Sequence, residues 1–320
     1  MTHQPLNPEP VQERIPRVSI GLAVRNGQKY LEQALLSILG QTFTDFELVI
    51  SDNASTDATA AICDRYAAKD SRIRYSRNST DIGGANNENL TFTLSRGEYF
   101  HWAAYDDICA PELIEKCVAA LDADPSAVLC FSTVVDIDEH GNPLKTNDRN
   151  NAESERPHER FHQLIRMEHM CEETYGLIRS SVLRKTKLQQ NYTDSDRTLL
   201  SELGLYGKFL QLREPLFFRR FHPDKSTIVF PVWRDRMVWF DSSMKDRIVC
   251  PHWLQFFDYL RTISRVPLPF TERMLCYLHM VRWLFVYRHV RWMGKDLLLA
   301  LQKWIRRMIG RFDRQSQLTL

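Results

Sequence analysis

Several motifs that would assign a chemistry directly are missing from this sequence of 320 residues. It contains no G-x-G-x-x-G dinucleotide fingerprint and no G-x-x-x-x-G-K-S/T phosphate-binding loop. A phosphate ligand would therefore need a metal ion or basic side chains to hold it. The G-x-S-x-G pattern is also missing, which removes one large class of serine hydrolases.

Cysteine usage and charge exclude further classes. Seven cysteines are scattered and contain no C-x-x-C pair, which favours buried thiols in a reducing compartment over a disulfide framework or a zinc knuckle. Forty-two basic residues against 40 acidic ones leave a net charge of +2, so no overall field favours nucleic acid as a partner.

No secretory signal pattern is present, and no apolar run reaches the roughly 18 residues of a membrane span. We therefore expect a cytoplasmic protein.

The first half of the chain alternates short apolar runs with polar loops and helical segments. Residues 18–24, 46–50 and 99–104 have the composition of buried strands, and apolar residues recur at helical spacing over 30–39 and 58–68. This order predicts an α/β fold with a mostly parallel central sheet flanked by helices.

Three regions are expected along the chain. Residues 1–16 are polar and rich in proline, which indicates a flexible arm. Residues 17–230 would form the α/β domain, in which residues 140–160 have the composition of a long polar loop. Residues 231–320 carry Trp, Phe, Leu and Arg at helical spacing and predict a C-terminal helical extension.

Two adjacent carboxylates, Asp106 and Asp107, follow the strand-like run of residues 99–104. At the carboxyl end of a strand, such a pair offers hard oxygen ligands to a divalent cation, which can in turn bridge phosphate oxygens. A solvated Asp-Asp turn is the alternative, because aspartate is common in turns. Since polar loops follow the other strands too, Asn26, Asp52 and Asp107 are expected to converge on one edge of the sheet.

Later polar side chains add further candidates. Asp196 lies at or just inside a predicted helix start, where a carboxylate is either a general base or a cap favoured by the helix dipole. His222 is either a ligand or phosphate contact or a structural histidine in a turn. His101, within an apolar run, is expected to be a core residue.

The order and spacing of these segments resemble the family 2 glycosyltransferases, inverting enzymes of the GT-A fold that transfer a sugar from a nucleotide donor. The similarity covers roughly residues 17–226. The segments that carry it are residues 18–27, 37–48, 51–57 (SDNASTD), 97–100 (GEYF) and 105–107 (YDD).

This resemblance implies a site for a nucleotide-sugar donor. Asp52 would meet the base, Asp106 the ribose or sugar, and Asp107 would bind Mn²⁺ or Mg²⁺ against the diphosphate. Asp196 would be the base that deprotonates the acceptor. The other donor-pocket residues that the resemblance implies are Asn26, Asn89, Arg220 and His222. Arg220 and His222 are similar to a segment that closes over the diphosphate, and His222 is also a candidate metal ligand.

Two positions depart from the family pattern. Ala23, Val24 and Arg25 precede Asn26 where the family usually has a proline and an aromatic residue. Base stacking would therefore be weakened or supplied by the Arg25 guanidinium. Ser195 precedes Asp196 where the family has glutamate, which leaves only the residue expected to act as the base.

Together these observations predict an inverting, metal-dependent glycosyltransferase with residues 17–230 as its GT-A domain. Inverting transfer needs a carboxylate to deprotonate the acceptor and a cation to hold the charge of the departing diphosphate. The expected donor is a nucleotide-diphosphate sugar of UDP type, and the acceptor is a hydroxyl of a glycan or lipid-linked saccharide, as in polysaccharide biosynthesis. One alternative is an inactive nucleotide-sugar-binding relative in a membrane-associated complex, which would be expected to lose an acid. The other is a nucleotidyltransferase, which would usually carry a Gly-rich basic loop.

The segment 282–314 is strongly basic although the whole chain is nearly neutral. Nine Lys and Arg residues are opposed there by Asp296 and Asp313, and aromatic and aliphatic side chains lie between them. A helix of this kind can lie on an anionic bilayer, which predicts peripheral contact with the inner face of a membrane. The alternative is that its apolar face packs on the α/β domain while the bases stay solvated.

Overall fold

A nine-stranded sheet runs through the part of the chain that the computed structural model describes, residues 14–147, 152–166, 171–229, 233–244 and 247–317. The strands are β1 (Val18–Val24), β2 (Phe46–Asp52), β3 (Ile73–Arg77), β4 (Tyr99–Ala104), β5 (Ile108–Cys109), β6 (Ala127–Ile137), β7 (Pro143–Asn147), β8 (Leu177–Arg179) and β9 (Lys208–Arg220). Their order in the sheet is β3-β2-β1-β4-β8-β6-β9-β5, and β7 pairs with β6. The predicted arm, residues 1–16, lies outside the described residues except for its last three positions.

The half of the sheet formed by β1 to β4 is parallel, as predicted. β1 lies between β2 and β4, so that Val18 is paired with both Phe46 and Tyr99. Every residue of β2 is buried, and so are all but one of β1. Burial on both faces explains why these strands are continuous apolar runs in the sequence.

The other half of the sheet is mixed, which the sequence did not predict. β8 is antiparallel to β4 and β6, β7 is antiparallel to β6, and β5 is antiparallel to β9, whereas β6 and β9 are parallel. β5 and β8 have two and three residues, which is too short to show a strand periodicity. The α/β class is confirmed, but its parallel character is confined to part of the sheet.

Twelve helices lie in the described ranges. Those of the first 230 residues are α1 (Leu31–Leu39), α2 (Thr59–Ala67), α3 (Gly84–Thr93), α4 (Leu113–Ala123), α5 (Pro157–Leu164), α6 (Ser180–Leu183), α7 (Ser195–Tyr206) and α8 (Ser226–Val229). The predicted C-terminal helical extension is confirmed, with α9 (Trp233–Phe240), α10 (Pro251–Arg265), α11 (Phe270–Phe285) and α12 (His289–Gln317). Among the described residues, we find no helix that is long and apolar enough to cross a membrane.

The long loop predicted over residues 140–160 is partly wrong, because it contains β7 and the start of α5. Four of the five β7 side chains are exposed, so no alternation of apolar residues marks this strand in the sequence. α5 begins at Pro157, a residue that suits the first helical turn, and it buries Phe161 and Leu164.

The C-terminal helices share a buried core with the α/β domain. Phe161 of α5 and Leu205 of α7 belong to the same apolar cluster as Tyr259 of α10 and Trp283 of α11. The sequence boundary at residue 230 therefore does not correspond to a separate packing unit. None of the seven cysteines, all of which lie in the described ranges, forms a disulfide, and six of them are buried, as expected from their scattered positions.

Candidate active site

The carboxyl ends of β1, β2 and β4 lie side by side. Val24 is paired with Asp52 and Ala23 with Ala104, so the loops that follow these strands start at the same edge of the sheet. This is the convergence expected for parallel strands. The candidate site is built from these loops, from helices α3 and α7 and from the end of β9.

Asp106 and Asp107 lie at the centre of the site, and both are buried. Nε2 of His222 is 2.9 Å from Oδ2 of Asp106, and Oδ1 of Asp107 accepts the backbone N–H of Arg220 at 2.8 Å. Nζ of Lys225 is 3.9 Å from an oxygen of each carboxylate. Burial and the charge of Asp106 raise the pKa of Asp107 to about 7, although Lys225 acts in the opposite direction. The negative charge of the pair is therefore only partly offset.

Asp52 is fully buried and shapes the loop after β2. Its carboxylate accepts the backbone N–H of Ser55 at 2.8 Å and the hydroxyl of Tyr75 at 3.1 Å, and Nε of Arg77 lies 3.4 Å away. The structure thus places Asp52 behind the cleft, where its oxygens hold the loop. The neighbouring Asn53, which the sequence analysis did not select, lines the cleft instead.

Asn26 ties the loop after β1 to the loop after β2. Its backbone is left-handed (φ 52°), a conformation that asparagine adopts more readily than most residues. The N–H of Asn26 donates to Oγ of Ser55 at 2.9 Å, and its Oδ1 accepts the N–H of Thr56 at 2.8 Å. Asn26 therefore organises the loops rather than lining the cavity that they enclose.

Arg220 braces the acid pair from behind. Its Nε donates to the carbonyl of Asp106 at 2.9 Å, its Nη1 to the carbonyl of Glu139 at 3.0 Å, and its Nη2 to Oε1 of Gln33 at 2.9 Å. The side chain is buried and lines neither cavity of the site. The contact with diphosphate implied by the resemblance is therefore not supported, because the guanidinium is occupied in fixing the loop that carries Asp106.

Two cavities lie at this edge of the sheet. The first has a volume of about 230 Å³ and includes Arg25, Asn53 and Asp106 in its wall. The second has a volume of about 190 Å³ and includes Asp194 and Asp196. The residues that line both cavities are Glu88, Tyr175, Lys225 and Trp239.

Asp196 lies in the first turn of α7, as predicted, and is half-buried. Its Oδ1 accepts the backbone N–H of Arg197 at 2.8 Å, which fixes the carboxylate at the helix start. Burial and the charge of Asp196 raise the pKa of Glu88 on α3 to about 8. Glu88 is therefore mainly protonated at neutral pH. It lies near Asp196, which the sequence analysis predicts to be the general base.

Asn89, the next residue on α3, points to a structural role. Its Nδ2 donates to the carbonyl of Gln189 at 2.7 Å, and its Oδ1 accepts the N–H of Gln189 at 3.1 Å. Both ends of the amide thus fasten α3 to the loop before α7, and Asn89 lines neither cavity. That Asn89 lines the donor pocket stays a prediction, and the neighbouring Glu88 is the residue of α3 that lines both cavities.

The C-terminal segment contributes one wall of the site. Trp239 of α9 packs on Gly84, where an added β-carbon would lie 2.9 Å from the indole ring. Gly83 has a left-handed backbone (φ 84°), and a β-carbon there would lie 2.4 Å from the carbonyl oxygen of Phe240. Two adjacent glycines thus allow α9 to approach α3 closely enough for Trp239 to line both cavities.

Comparison with known proteins assigns this site to a family. The sequence profile of Glycosyl transferase family 2 matches residues 19–186, which is more than half of the chain. The chain belongs to glycosyl transferase family 2. The acid pair and the loops after β1, β2 and β4 all lie within the matched residues, whereas Asp196, Lys225 and Trp239 lie beyond them.

Individual relatives show how far the likeness extends. An uncharacterized glycosyltransferase of Methanocaldococcus jannaschii is 29% identical over 177 residues, 55% of this chain and 60% of that protein. Chondroitin synthase of Escherichia coli is 35% identical over 131 residues, 41% of this chain and 19% of the synthase. The matched region is thus less than two thirds of either relative. The structure of S. aureus TarS 1-349 in complex with UDP-GlcNAc shares the fold, with a TM-score of 0.64 at 15% identity, over 90% of this chain and 81% of TarS.

The acid pair of this family 2 protein fits a divalent cation in charge but offers few protein ligands. We find no group of three or more His, Cys, Asp or Glu side chains arranged to hold a metal within the described ranges. Nε2 of His222, the second predicted ligand, is hydrogen-bonded to Oδ2 of Asp106. The buried Nδ1 of this histidine has no hydrogen-bond partner among the described residues. Asp107 lines neither cavity, so its role as a metal ligand stays a prediction, and the other ligands would have to come from the donor.

A second histidine group lies between α5 and α11. Residues 158–162 match the H-E-x-x-H spacing of zinc proteases, with both histidines on one helix. However, Nδ1 of His158 is 2.8 Å from Oε2 of Glu272, and Nε2 of His162 is 2.8 Å from the hydroxyl of Tyr287. The ring of His279 stacks on both histidine rings. Because ring nitrogens bind metals through lone pairs in the ring plane, this stacked arrangement suits helix packing and not zinc binding.

Proposed function

We propose that this protein is an inverting glycosyltransferase that moves a sugar from a nucleotide-diphosphate donor to an acceptor hydroxyl. The observation that carries the proposal is the wall shared by two cavities, one containing Asp106 and the other Asp196. Adjoining pockets suit a reaction in which two bound substrates exchange a group, because both are held within reach of each other. Family membership and the fold shared with TarS support this assignment.

The cavity beside the acid pair is proposed to hold the donor, with UDP as its nucleotide. Nδ2 of Asn53 donates to Oδ1 of Asp81 at 2.6 Å, and Arg25 forms an ion pair with the same carboxylate. These three side chains form a polar rim that would recognise a base by hydrogen bonds. The Arg25 guanidinium would supply the flat surface on which the base stacks.

The diphosphate is proposed to lie beside Lys225 and the acid pair, where the two cavities meet. Asp106, held by His222, would accept hydrogen bonds from hydroxyls of the ribose or sugar. Mn²⁺ or Mg²⁺ held by Asp107 would neutralise charge that develops on the departing diphosphate. Lys225 lines both cavities, so its ammonium would stabilise the same charge from the protein side.

Asp196 is proposed as the general base. Its carboxylate takes the proton of the acceptor hydroxyl while the acceptor oxygen forms a bond to the anomeric carbon. The bond between that carbon and the diphosphate oxygen breaks, and the nucleoside diphosphate leaves with the electron pair. Attack from the side of Asp196, opposite the departing group, inverts the anomeric centre. The protonated Glu88 would donate a hydrogen bond to a substrate without adding negative charge.

The acceptor is proposed to be a hydroxyl of a glycan or lipid-linked saccharide, as in polysaccharide biosynthesis. The second cavity carries the aromatic side chains of Phe221, Trp239 and Phe240. Aromatic faces pack on the apolar C–H faces of sugar rings, while Arg219 and Arg236 in the same wall can donate hydrogen bonds to hydroxyls.

A donor panel tests the proposal. The full chain is incubated with nucleotide-diphosphate sugars and Mn²⁺, and released nucleoside diphosphate is measured with and without saccharide acceptors. We expect turnover of at least one donor, and NMR of the product should show the anomeric configuration opposite to that of the donor. Binding of donors without turnover under any condition would indicate an inactive relative. Release of pyrophosphate from a nucleoside triphosphate and a sugar phosphate would indicate nucleotidyl transfer.

A further inference from the structure

Helix α12 exposes a continuous apolar surface. The side chains of this α12 face are Leu297, Leu298, Leu301, Trp304 and Ile305, which are between 43 and 64% exposed. Their spacing of one, four, seven and eight residues from Leu297 places them on one side of a helix. An outward apolar stripe of this kind is the reverse of what a helix packed on a globular domain normally shows.

The opposite side of α12 makes the contacts with the protein. The indole N–H of Trp253 donates to the carbonyl of Met293 at 3.1 Å, and Oδ2 of the buried Asp296 accepts the N–H of His252 at 3.0 Å. Nζ of Lys303 donates to the carbonyl of Arg247 at 3.1 Å. The helix is thus anchored by polar contacts, and Leu297, Leu298 and Leu301 point away from the protein. The expectation that its apolar face packs on the α/β domain is wrong for the five residues of the α12 face.

Basic side chains border the α12 face. Arg291 and Lys295 are exposed and line a shallow groove together with Leu297, Leu298 and Leu301. The sequence adds Arg306, Arg307, Arg311 and Arg314 further along the helix. Asp296 is buried, so it does not offset the charges of the exposed Arg291 and Lys295 at the surface. The exposed charge of this region is therefore positive, although the whole chain carries only +2.

The preceding helix exposes a second apolar stripe. Its members, spaced by four, four, three and four residues, are Phe270, Met274, Leu278, Val281 and Phe285. Each is at least 48% exposed. Two consecutive helices thus present apolar residues outward.

We propose that the α12 face, with Arg291 and Lys295, binds the surface of an anionic lipid bilayer. The apolar side chains would enter the headgroup region while the bases contact lipid phosphates. This inference goes beyond sugar transfer, because it places the protein at a membrane. A second copy of the chain fits the same face poorly, because a two-fold interface would bring two copies of the same positively charged surface together.

Vesicle flotation tests the proposal with the full chain. Wild-type protein should float with vesicles of phosphatidylcholine containing roughly a third phosphatidylglycerol, stay unbound with pure phosphatidylcholine, and dissociate as salt rises. The double variant L297D/L301D should lose flotation, whereas L36D, which changes an exposed leucine of α1, should bind like wild type. Reversing charge in R291E/K295E should weaken binding by more than 10-fold, and K69E should not.

Folding and self-association are measured on the same samples by circular dichroism and light scattering. Failure of folded wild-type protein to float with anionic vesicles at low salt would overturn the proposal. Equal flotation of wild type and L297D/L301D would also overturn it. The wild type could instead form a dimer and not bind vesicles. If L297D/L301D were then monomeric, the α12 face would be assigned to a second copy of the chain. None of these outcomes depends on sugar transfer.

Discussion

Nζ of Lys225 lies 3.9 Å from Oδ1 of Asp107, at the junction of the two cavities. The same ammonium donates to the carbonyl of Arg220 at 2.7 Å, so the main chain fixes its position. A buried carboxylate with a raised pKa thus faces a fixed cation at the point where a diphosphate would leave. This relationship makes the charge of both residues testable.

Replacing Lys225 by methionine should lower kcat/KM for the donor by roughly 10- to 100-fold. The reason is that a hydrogen bond to a charged group contributes about 1.5–3 kcal/mol. K225R keeps the charge and should retain more activity than K225M. K116M removes a surface lysine paired with Glu214 and is the matched control. Steady-state kinetics against donor concentration provide the measurement, and a wild-type value for K225M would remove Lys225 from the site.

Asp107→Asn should abolish the stimulation of donor binding by Mn²⁺. The amide keeps the shape and can still accept the N–H of Arg220, but it lacks the charge that binds a divalent ion. Calorimetric titration of donor with and without Mn²⁺ measures the effect, and D64N on the exposed side of α2 is the control. Wild-type turnover that persists in excess chelator would contradict the metal assignment.

Ionisation of Glu88 should make the activity fall at alkaline pH, which gives the pH profile an alkaline limb. Its pKa, raised to about 8 from an ordinary value near 4.5, means that Glu88 ionises as the pH passes 8. The new charge beside Asp196 would repel an anionic donor, so KM should rise on the alkaline side. E88Q mimics the protonated form and should flatten this limb, while E32Q on the surface of α1 should keep it. An unchanged limb in E88Q would refute the assignment.

Features of the fold that depend on neighbouring residues of the chain could be predicted from the sequence, whereas features that depend on distant residues could not. β1, β2 and β4 were predictable because burial on both faces makes each strand a continuous apolar run. The positions of Asp107 and Asp196 were predictable because Asp107 follows the buried strand β4 and Asp196 lies in the first turn of helix α7, whereas their roles stay predictions. The exposed strand β7 was missed because its side chains carry no apolar alternation.

Other features depended on partners distant in the sequence. Glu88 and Trp239 form one wall only because α9 packs on α3 across Gly83 and Gly84. The hydrogen bonds of Asn89 and Arg220 to main-chain groups could not be predicted, because the order of the chain does not reveal these partners. Periodicity likewise predicted an apolar stripe on α12, but only its anchoring contacts show that the stripe faces outward.

Three buried histidines should make the fold sensitive to acid. Burial lowers the pKa of His101, His279 and His289 to about 4. Between pH 6.5 and 4 the unfolded chain therefore binds protons that the folded chain does not, and the free energy of unfolding should fall as the pH is lowered through this range. Each histidine contributes on the order of 3 kcal/mol at most.

His289 offers a clean test of this acid sensitivity. Its ring stacks on Trp283 at 3.7 Å, and within the described structure neither ring nitrogen has a hydrogen-bond partner. H289F should keep the stack, cost little stability at pH 7 and reduce the slope of stability against pH below 6.5. Thermal melts between pH 4 and 8, with H140Q as an exposed control, measure this slope. An unchanged slope in H289F would contradict the assignment of a low pKa to His289.

The central claim is that Asp196 acts as the base in the chemical step and not in donor binding. D196N should retain the donor Kd within about threefold and lower kcat by roughly 10²–10⁴, because the amide cannot accept the acceptor proton. D194N is the matched control, since Asp194 lines the same cavity and has a left-handed backbone (φ 67°) that asparagine tolerates. Donor titration and single-turnover sugar transfer with both variants form the decisive measurement. A large loss of kcat in D196N alone, with donor binding intact, is the predicted result, whereas wild-type kcat in D196N would contradict the account.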